Sequence, residues 1–414
     1  MNYNILNKIK NTNILVLLFL ILIFVPKIDL ISIPGYWQGI RIDDVILAFI
    51  GLIFLINKNK IIFSYKKFYN GWFYFFLYIF FSNLIALLIG FEIKFVMMLR
   101  IIEYLIVITF IYNLNLDKVF LRKVIKYFII LNVFVVFFQI NGLVGSISSL
   151  GYLPAGAILN NRAYGLLGGS WELAIITSLS YFILLYVSEK KNEKIKYLFI
   201  CLFLLYTANS RMPIAAFLVG VSIFYFFEKI KFKQKILDYK FKGYYFFTGI
   251  LFLIYFFYLI NFNNYFKYNF DLDYFDDFNL SREVIFNLIS NLLIYNDVPS
   301  RAEFHNYDFP YWSLLYRLEH WSNLYHINLS EPFSFIFGSG LNILYTDSLL
   351  IRILLNCGFV GLLFIAVLSL GLPIFLLVFL FLCGLTLDLF ISMKIFIFTL
   401  LLIWSYKNYA VNSR

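Results

Sequence analysis

Residues Tyr197–Phe227 read YLFICLFLLYTANSRMPIAAFLVGVSIFYFF. Two apolar runs of about 15 residues each flank the turn Asn209-Ser210-Arg211-Met212-Pro213. Neither run carries a charge, so the pair reads as two membrane-crossing helices joined at one surface. Runs this short set the turn below the surface. A charge at that depth is costly and usually functional, which singles out Arg211; the bland alternative is an interfacial anchor.

The same reading extends along the chain. Of 414 residues, 62% are hydrophobic and 14% charged, with a mean hydropathy of +0.84. A soluble protein carries about 25% charged residues. Apolar runs fall at 9–25, 42–57, 69–90, 95–113, 124–143, 171–188, 195–209, 212–228, 243–261, 349–370, 372–387 and 392–407. The expectation is an all-α integral membrane protein of about twelve transmembrane helices. The first run follows Lys8 and Lys10 as a signal peptide would. Pro26-Lys27-Ile28-Asp29 offers no small-residue cleavage site, so it counts as a span.

A net charge of +11 raises nucleic acid as a partner. The distribution argues against it, because lysine and arginine collect in the short segments 57–67, 114–126, 189–196 and 228–242. That bias assigns these segments and both termini to the cytoplasm. Three regions follow: the first nine spans in 1–260, a large outer, periplasmic loop with short helices in 261–346, and three spans with a short tail in 347–414. Ser281 begins one candidate helix in the loop and Trp312 another, with Pro332 excluding its continuation. Loops of this length are usually functional.

Cys201, Cys357 and Cys383 lie within or near apolar runs without CxxC spacing, so they read as packing residues. Asp271-Leu272-Asp273 matches a short metal-binding pattern common by chance, and no metal or cofactor is expected. Asp43 and Asp44 open the second span, with Arg41 or Lys27 as partners. Arg100 and Glu103 are the ionisable residues expected well inside a span, paired across one helical turn. Gly358 and Gly361 read as close helix-packing positions. No internal repeat is found, which counts modestly against a transporter.

On the outer side, arginine replaces lysine: Arg162, Arg211, Arg282, Arg301 and Arg317. Arginine's planar fork matches phosphate oxygens and stays charged when partly desolvated. Several facing one cavity suit a lipid-linked pyrophosphate; singly, each serves equally well as a headgroup contact. Arg317, His320 and Trp321 share a face on a helix. Trp321 offers a sugar-stacking ring and His320 a base near neutral pH, although a buried Trp321 on a solvated helix explains them as simply. Glu319 points elsewhere. Phe337-Gly338-Ser339-Gly340-Leu341 permits a tight turn at membrane re-entry. Beyond it Asp347 is a helix cap before it is a catalyst.

In combination these motifs resemble the O-antigen polymerase and O-antigen ligase superfamily. Arg41-Ile42-Asp43-Asp44, Arg162-Ala163-Tyr164-Gly165 before Trp171-Glu172-Leu173-Ala174, Ser210-Arg211, Arg317 with Trp321, Gly338-Ser339-Gly340 and Gly358 with Gly361 follow the family's order. The resemblance implies that Arg162, Arg211 and Arg317, with Arg282 beside them, hold the pyrophosphate of an undecaprenyl-linked oligosaccharide at the outer face of the bacterial cytoplasmic membrane. A chain-length regulator is a further candidate partner. Ligases of the family carry a histidine after the Gly-x-Gly turn; here Thr346-Asp347-Ser348 stands there, which favours polymerase over ligase. The general base stays open among His320, Glu319 and Asp347. The alternatives are a ligase that transfers polymer to lipid A-core, and a glycolipid flippase or other transporter.

Overall fold

The computed structural model describes residues 3–26, 28–31, 40–56, 67–91, 95–114, 116–148, 151–153, 162–227, 332–340, 348–369, 372–387, 389 and 392–410. Its helices are α1 (Tyr3–Phe24), α2 (Ile42–Ile56), α3 (Lys67–Ile89), α4 (Phe95–Asn113), α5 (Lys118–Ile140), α6 (Ser170–Val187), α7 (Lys191–Ala208), α8 (Arg211–Phe227), α9 (Pro332–Phe337), α10 (Leu349–Ser369), α11 (Ile374–Thr386) and α12 (Met393–Ser405). Each expected span within these residues falls on a helix. The ninth span and most of the large loop lie outside them. Among the described residues four helices are long and apolar enough to cross a membrane: Gly71–Leu88, Lys118–Ile140, Ser170–Val187 and Leu349–Ser369.

Among the described residues two small sheets interrupt the helical plan. β1 (Asp29–Ile31) pairs antiparallel with β2 (Ile40–Arg41), and β3 (Ser146–Ser148) with β4 (Gly151–Leu153). Both follow the C-terminal ends of helices, where the chain has left the apolar run.

Helix ends follow local chemistry. The Asp117 carboxylate accepts the Val119 N–H at 3.2 Å and caps α5. Asn209 takes a left-handed conformation (φ 46°) and ends α7, so one residue, Ser210, separates it from α8. Pro373 precedes α11, and the Ser392 hydroxyl accepts the Ile395 N–H at 3.3 Å to cap α12. Pro332 starts α9, a position where its missing N–H costs nothing.

The core centres on α6 and α12. Of the α6 span 94% is buried, against 39% for each of the other three long apolar helices. Phe182 of α6 meets Phe375 and Phe379 of α11 with ring centroids 5.0 and 5.5 Å apart. On the other flank Phe396 of α12 packs edge-on to Tyr104 of α4, which stacks on Phe76 of α3. Large apolar side chains also face outward, among them Leu88 (86% exposed), Ile56 (81%) and Phe199 (66%). So much apolar surface suits a bilayer rather than water.

Contacts join like ends of the helices. At one end Lys394 of α12 donates to the Val25 carbonyl after α1, and Ser392 donates to Glu172 in the first turn of α6. At the other end Lys118 of α5 meets Glu189 after α6 at 2.9 Å, and Lys126 meets Glu193 of α7. Phe224 of α8 lies 5.3 Å from Phe375 of α11, so the tail of one helix meets the head of the other. The Arg211 end of α8 therefore lies toward the C-terminal end of α11. There Ser348 donates to the Gly384 carbonyl at 3.1 Å and Leu349 N–H to the Leu387 carbonyl at 3.1 Å, which fixes the start of α10 at the same end.

Candidate functional site

Segment 162–169 is irregular backbone at this end, and α5 holds it with two side-chain amides. The Gln139 carbonyl oxygen accepts the N–H groups of Tyr164 and Gly165 at 3.1 and 2.8 Å, while its amide donates to the Gly165 carbonyl at 3.2 Å. Seven residues earlier, two turns down the same face, Asn132 accepts the Leu166 N–H at 3.0 Å. Both amides are buried. Gly165 has φ +59°, and a Cβ there would sit 2.4 Å from the Asn132 oxygen. Glycine is required by conformation and by space.

From this clamp the segment reaches α7 and α6. Ala163 N–H donates to the Thr207 carbonyl at 2.9 Å. Gly168 N–H donates to the buried Glu172 carboxylate at 2.8 Å, whose second oxygen accepts from Ser392. Buried irregular backbone survives only where its polar groups are met internally, and these side chains do so.

The consequence is electrostatic. Arg162 and Arg211 are both exposed. Partial burial, and then the charge of Arg162, work against the charge on Arg211. Two cations from distant parts of the sequence thus stand within reach of each other's field. Arg162 and Arg211 belong to neighbouring backbone, joined through the Ala163–Thr207 hydrogen bond; Arg282, Arg317, Glu319, His320, Trp321 and Asp347 lie outside the described residues.

A second polar locus lies where α9 meets α10. Gly358 has φ 66° and ψ −169°, a conformation close to glycine's own, and it breaks α10. Carbonyls just before the break lose their helical donors. The Ser339 N–H and hydroxyl donate to the Leu355 carbonyl at 2.9 and 3.1 Å, and the Tyr78 hydroxyl of α3 donates to the Cys357 carbonyl at 2.7 Å. Ser82 of α3 donates to the Phe337 carbonyl at 2.9 Å. The backbones nearly touch: a Cβ on Gly358 would lie 2.2 Å from the Ile336 oxygen, and one on Gly338 2.4 Å from the Asn356 oxygen. Gly358 therefore serves a helix break as well as the close helix packing expected of it, against α9, whereas Gly361 faces Cys357 and Ile353 of its own helix.

Charges inside the helices exceed the expected Arg100–Glu103 pair. Arg100 contacts Glu103 at 3.1 Å and Asp44 of α2 at 2.5 Å. The Arg41 guanidinium is fully buried, 3.6 Å from Asp43 and 3.8 Å from Asp44, with none of its three nitrogens hydrogen-bonded. Arg352 in α10 and Lys394 in α12 are buried too, at 7% and 4% exposure. Sequence reasoning passed over Arg352 because it stands near the start of an apolar run. Its signal was the i, i+4 spacing of Ser348, Arg352 and Asn356, which sets three polar side chains on one face.

The chain matches no family model, and no curated protein matches it.

Proposed function

We propose that the protein is a membrane glycosyltransferase that polymerises polyprenyl-pyrophosphate-linked repeat units of O-antigen or capsule. What carries this reading is the approach of Arg162 to Arg211 on a clamped segment. Two like charges held together lower each other's stability, and a pyrophosphate relieves that repulsion through charge-assisted hydrogen bonds to both. The end bearing them is taken as the outer face. In support, the lysine-rich segments around Lys118 and Lys190 lie at the opposite end.

In the reaction, the bond between the donor's anomeric carbon and its pyrophosphate oxygen breaks. The acceptor's hydroxyl oxygen bonds to that carbon, and its proton passes to a base, for which His320, Glu319 and Asp347 are the candidates. Undecaprenyl pyrophosphate leaves with the negative charge. Arg162 and Arg211 stabilise that charge without reorganising, a contribution no metal is needed to make. Arg282 and Arg317 are assigned to the same anion, and Trp321 to the glycan.

Arg211→Ala is expected to abolish long-chain polysaccharide in cells and elongation of a defined lipid-linked repeat by purified protein in liposomes. Normal chain-length ladders from that variant would sink the proposal. Bare core with accumulated lipid-linked polymer in a deletion strain indicates the ligase instead. A flippase is the second reading. It draws on the cluster of buried Arg41 with half-buried Asp44, Arg100 and Glu103, since transporters place charges within their spans. Elongation in liposomes excludes pure transport.

A further inference from the structure

At the lysine-rich end α5 and α7 face each other with charges that do not balance. Lys118, Arg122 and Lys126 of α5 recur every four residues and share a face. Two carboxylates stand against them. Glu189, just before α7, accepts from Lys118 at 2.9 Å. Glu193 of α7 pairs with Lys126, whose Nζ also lies 5.8 Å from the centroid of the Tyr197 ring. The bond from Lys118, with the charges of Lys118 and Arg122, holds the Glu189 carboxyl below the usual carboxylate range. Arg122 stands midway between the two pairs. It is half-buried and makes no hydrogen bond or ion pair among the described residues.

The excess is positive. Segments 117–126 and 189–196 hold eight lysines and arginines against three acidic residues. Lys190 and Lys196 are exposed, and their charges converge with that of Arg122 on Lys126. An anion lying among such cations relieves their mutual repulsion. Deeper along both helices the outward side chains turn apolar. On α5 the face of Lys126 continues through Ile130 and Phe137, and on α7 that of Lys196 through Phe199 and Phe203; all four are exposed. A ligand that meets both halves has an anionic head and apolar chains. Soluble phosphate meets the first half only, and an acidic polypeptide has nothing for the second.

We propose that the α5–α7 seam binds an anionic phospholipid, its phosphate against Arg122, Lys190 and Lys196 and its chains along the outward faces of both helices. Basic clusters between membrane helices take lipid headgroups in this way. The same two helices act together at their other ends, where Gln139 and Asn132 of α5 and Thr207 of α7 hold segment 162–169. A lipid bridging the near ends therefore braces the pair of helices that positions Arg162. The polymerase reading supplies only the leaflet, the cytoplasmic one; the site itself does not rest on it.

The test uses the full chain in detergent, with lipid binding followed by native mass spectrometry and melting temperature measured in parallel. The probes are phosphatidylglycerol and, as a zwitterionic control, phosphatidylcholine. Wild type is expected to retain phosphatidylglycerol preferentially and to melt at a higher temperature with it. Arg122→Gln, and Lys190→Gln combined with Lys196→Gln, should each weaken that binding about tenfold. Arg122→Lys keeps the charge, loses the fork and should fall between. Lys123→Gln removes a charge from the next residue, about 100° around α5, and should change little. Unchanged binding in Arg122→Gln overturns the inference, as does equal retention of the two lipids. A loss in Lys123→Gln as large as in Arg122→Gln marks diffuse attraction to the whole patch and overturns it too. Displacement of the lipid by inorganic phosphate or by polyglutamate identifies a free anion or an acidic polypeptide and overturns the lipid assignment. A chain that binds through Arg122 but never elongates repeats refutes the polymerase reading and leaves this site standing.

Discussion

Ala163 N–H donates to the Thr207 carbonyl at 2.9 Å, and that bond ties two arginines together. Arg162 precedes Ala163, and Arg211 follows Thr207 by four residues across the Asn209 turn. The 45 residues from Ala163 to Thr207 contain all of α6 and nearly all of α7, so the chain crosses the bundle twice to bring them together.

Gly165→Ala tests the clamp directly. The added Cβ meets the Asn132 oxygen in a left-handed conformation, so unfolding stability in detergent should drop by about 2 kcal/mol or more. A melting temperature equal to wild type would show that the segment relaxes freely.

Gln139→Leu removes the acceptor for Tyr164 and Gly165 N–H groups. Two buried donors without partners cost about 2–4 kcal/mol together. Gln139 holds this segment through its backbone, with one further, longer bond to the Gly145 carbonyl, so its elongation defect should resemble that of Arg162→Ala. Full elongation by Gln139→Leu would separate Arg162 from its clamp.

Glu172 and Ser392 lie on different helices and share a buried hydrogen bond. In a double-mutant cycle with Glu172→Gln and Ser392→Ala, the coupling should be about 1–3 kcal/mol. Additive losses would mean that the two act independently.

Arg41→Met should destabilise by about 3 kcal/mol, because it removes a buried cation 3.6 Å from the Asp43 carboxylate. Arg41→Met combined with Asp43→Leu should recover at least half of that loss, since a buried ion pair is replaceable by apolar packing. A double variant as unstable as the single one would assign Arg41 a role beyond charge pairing.

Gly358→Ala faces a backbone oxygen, not a flexible side chain. Its Cβ cannot be accommodated unless α9 moves off α10, so folded yield should collapse. A well-folded Gly358→Ala protein would show that the crossing is dispensable.

The helices themselves were legible in the chain. Length and continuity of apolar runs locate spans, because a bilayer demands about 20 apolar residues and internal satisfaction of every backbone polar group. Turn chemistry was legible in places, as at Asn209 and Pro332. Arg211 stood out because a charge between two apolar runs has few benign explanations. Arg162 was marked by its residue type and by the motif around it.

Tertiary structure alone decided which of these residues meet. No periodicity in the sequence announces that Gln139 clamps Gly165, that Ser392 reaches Glu172 or that Gly338 crosses Gly358. These contacts span 26, 220 and 20 residues. Local sequence records the solvent a segment must face, and lipid imposes one demand on every span alike. Which spans become neighbours is settled by packing across the whole bundle. The turn at Arg211 was therefore visible from its own sequence, but its pairing with Arg162 depended on α6 and α7 folding back between them.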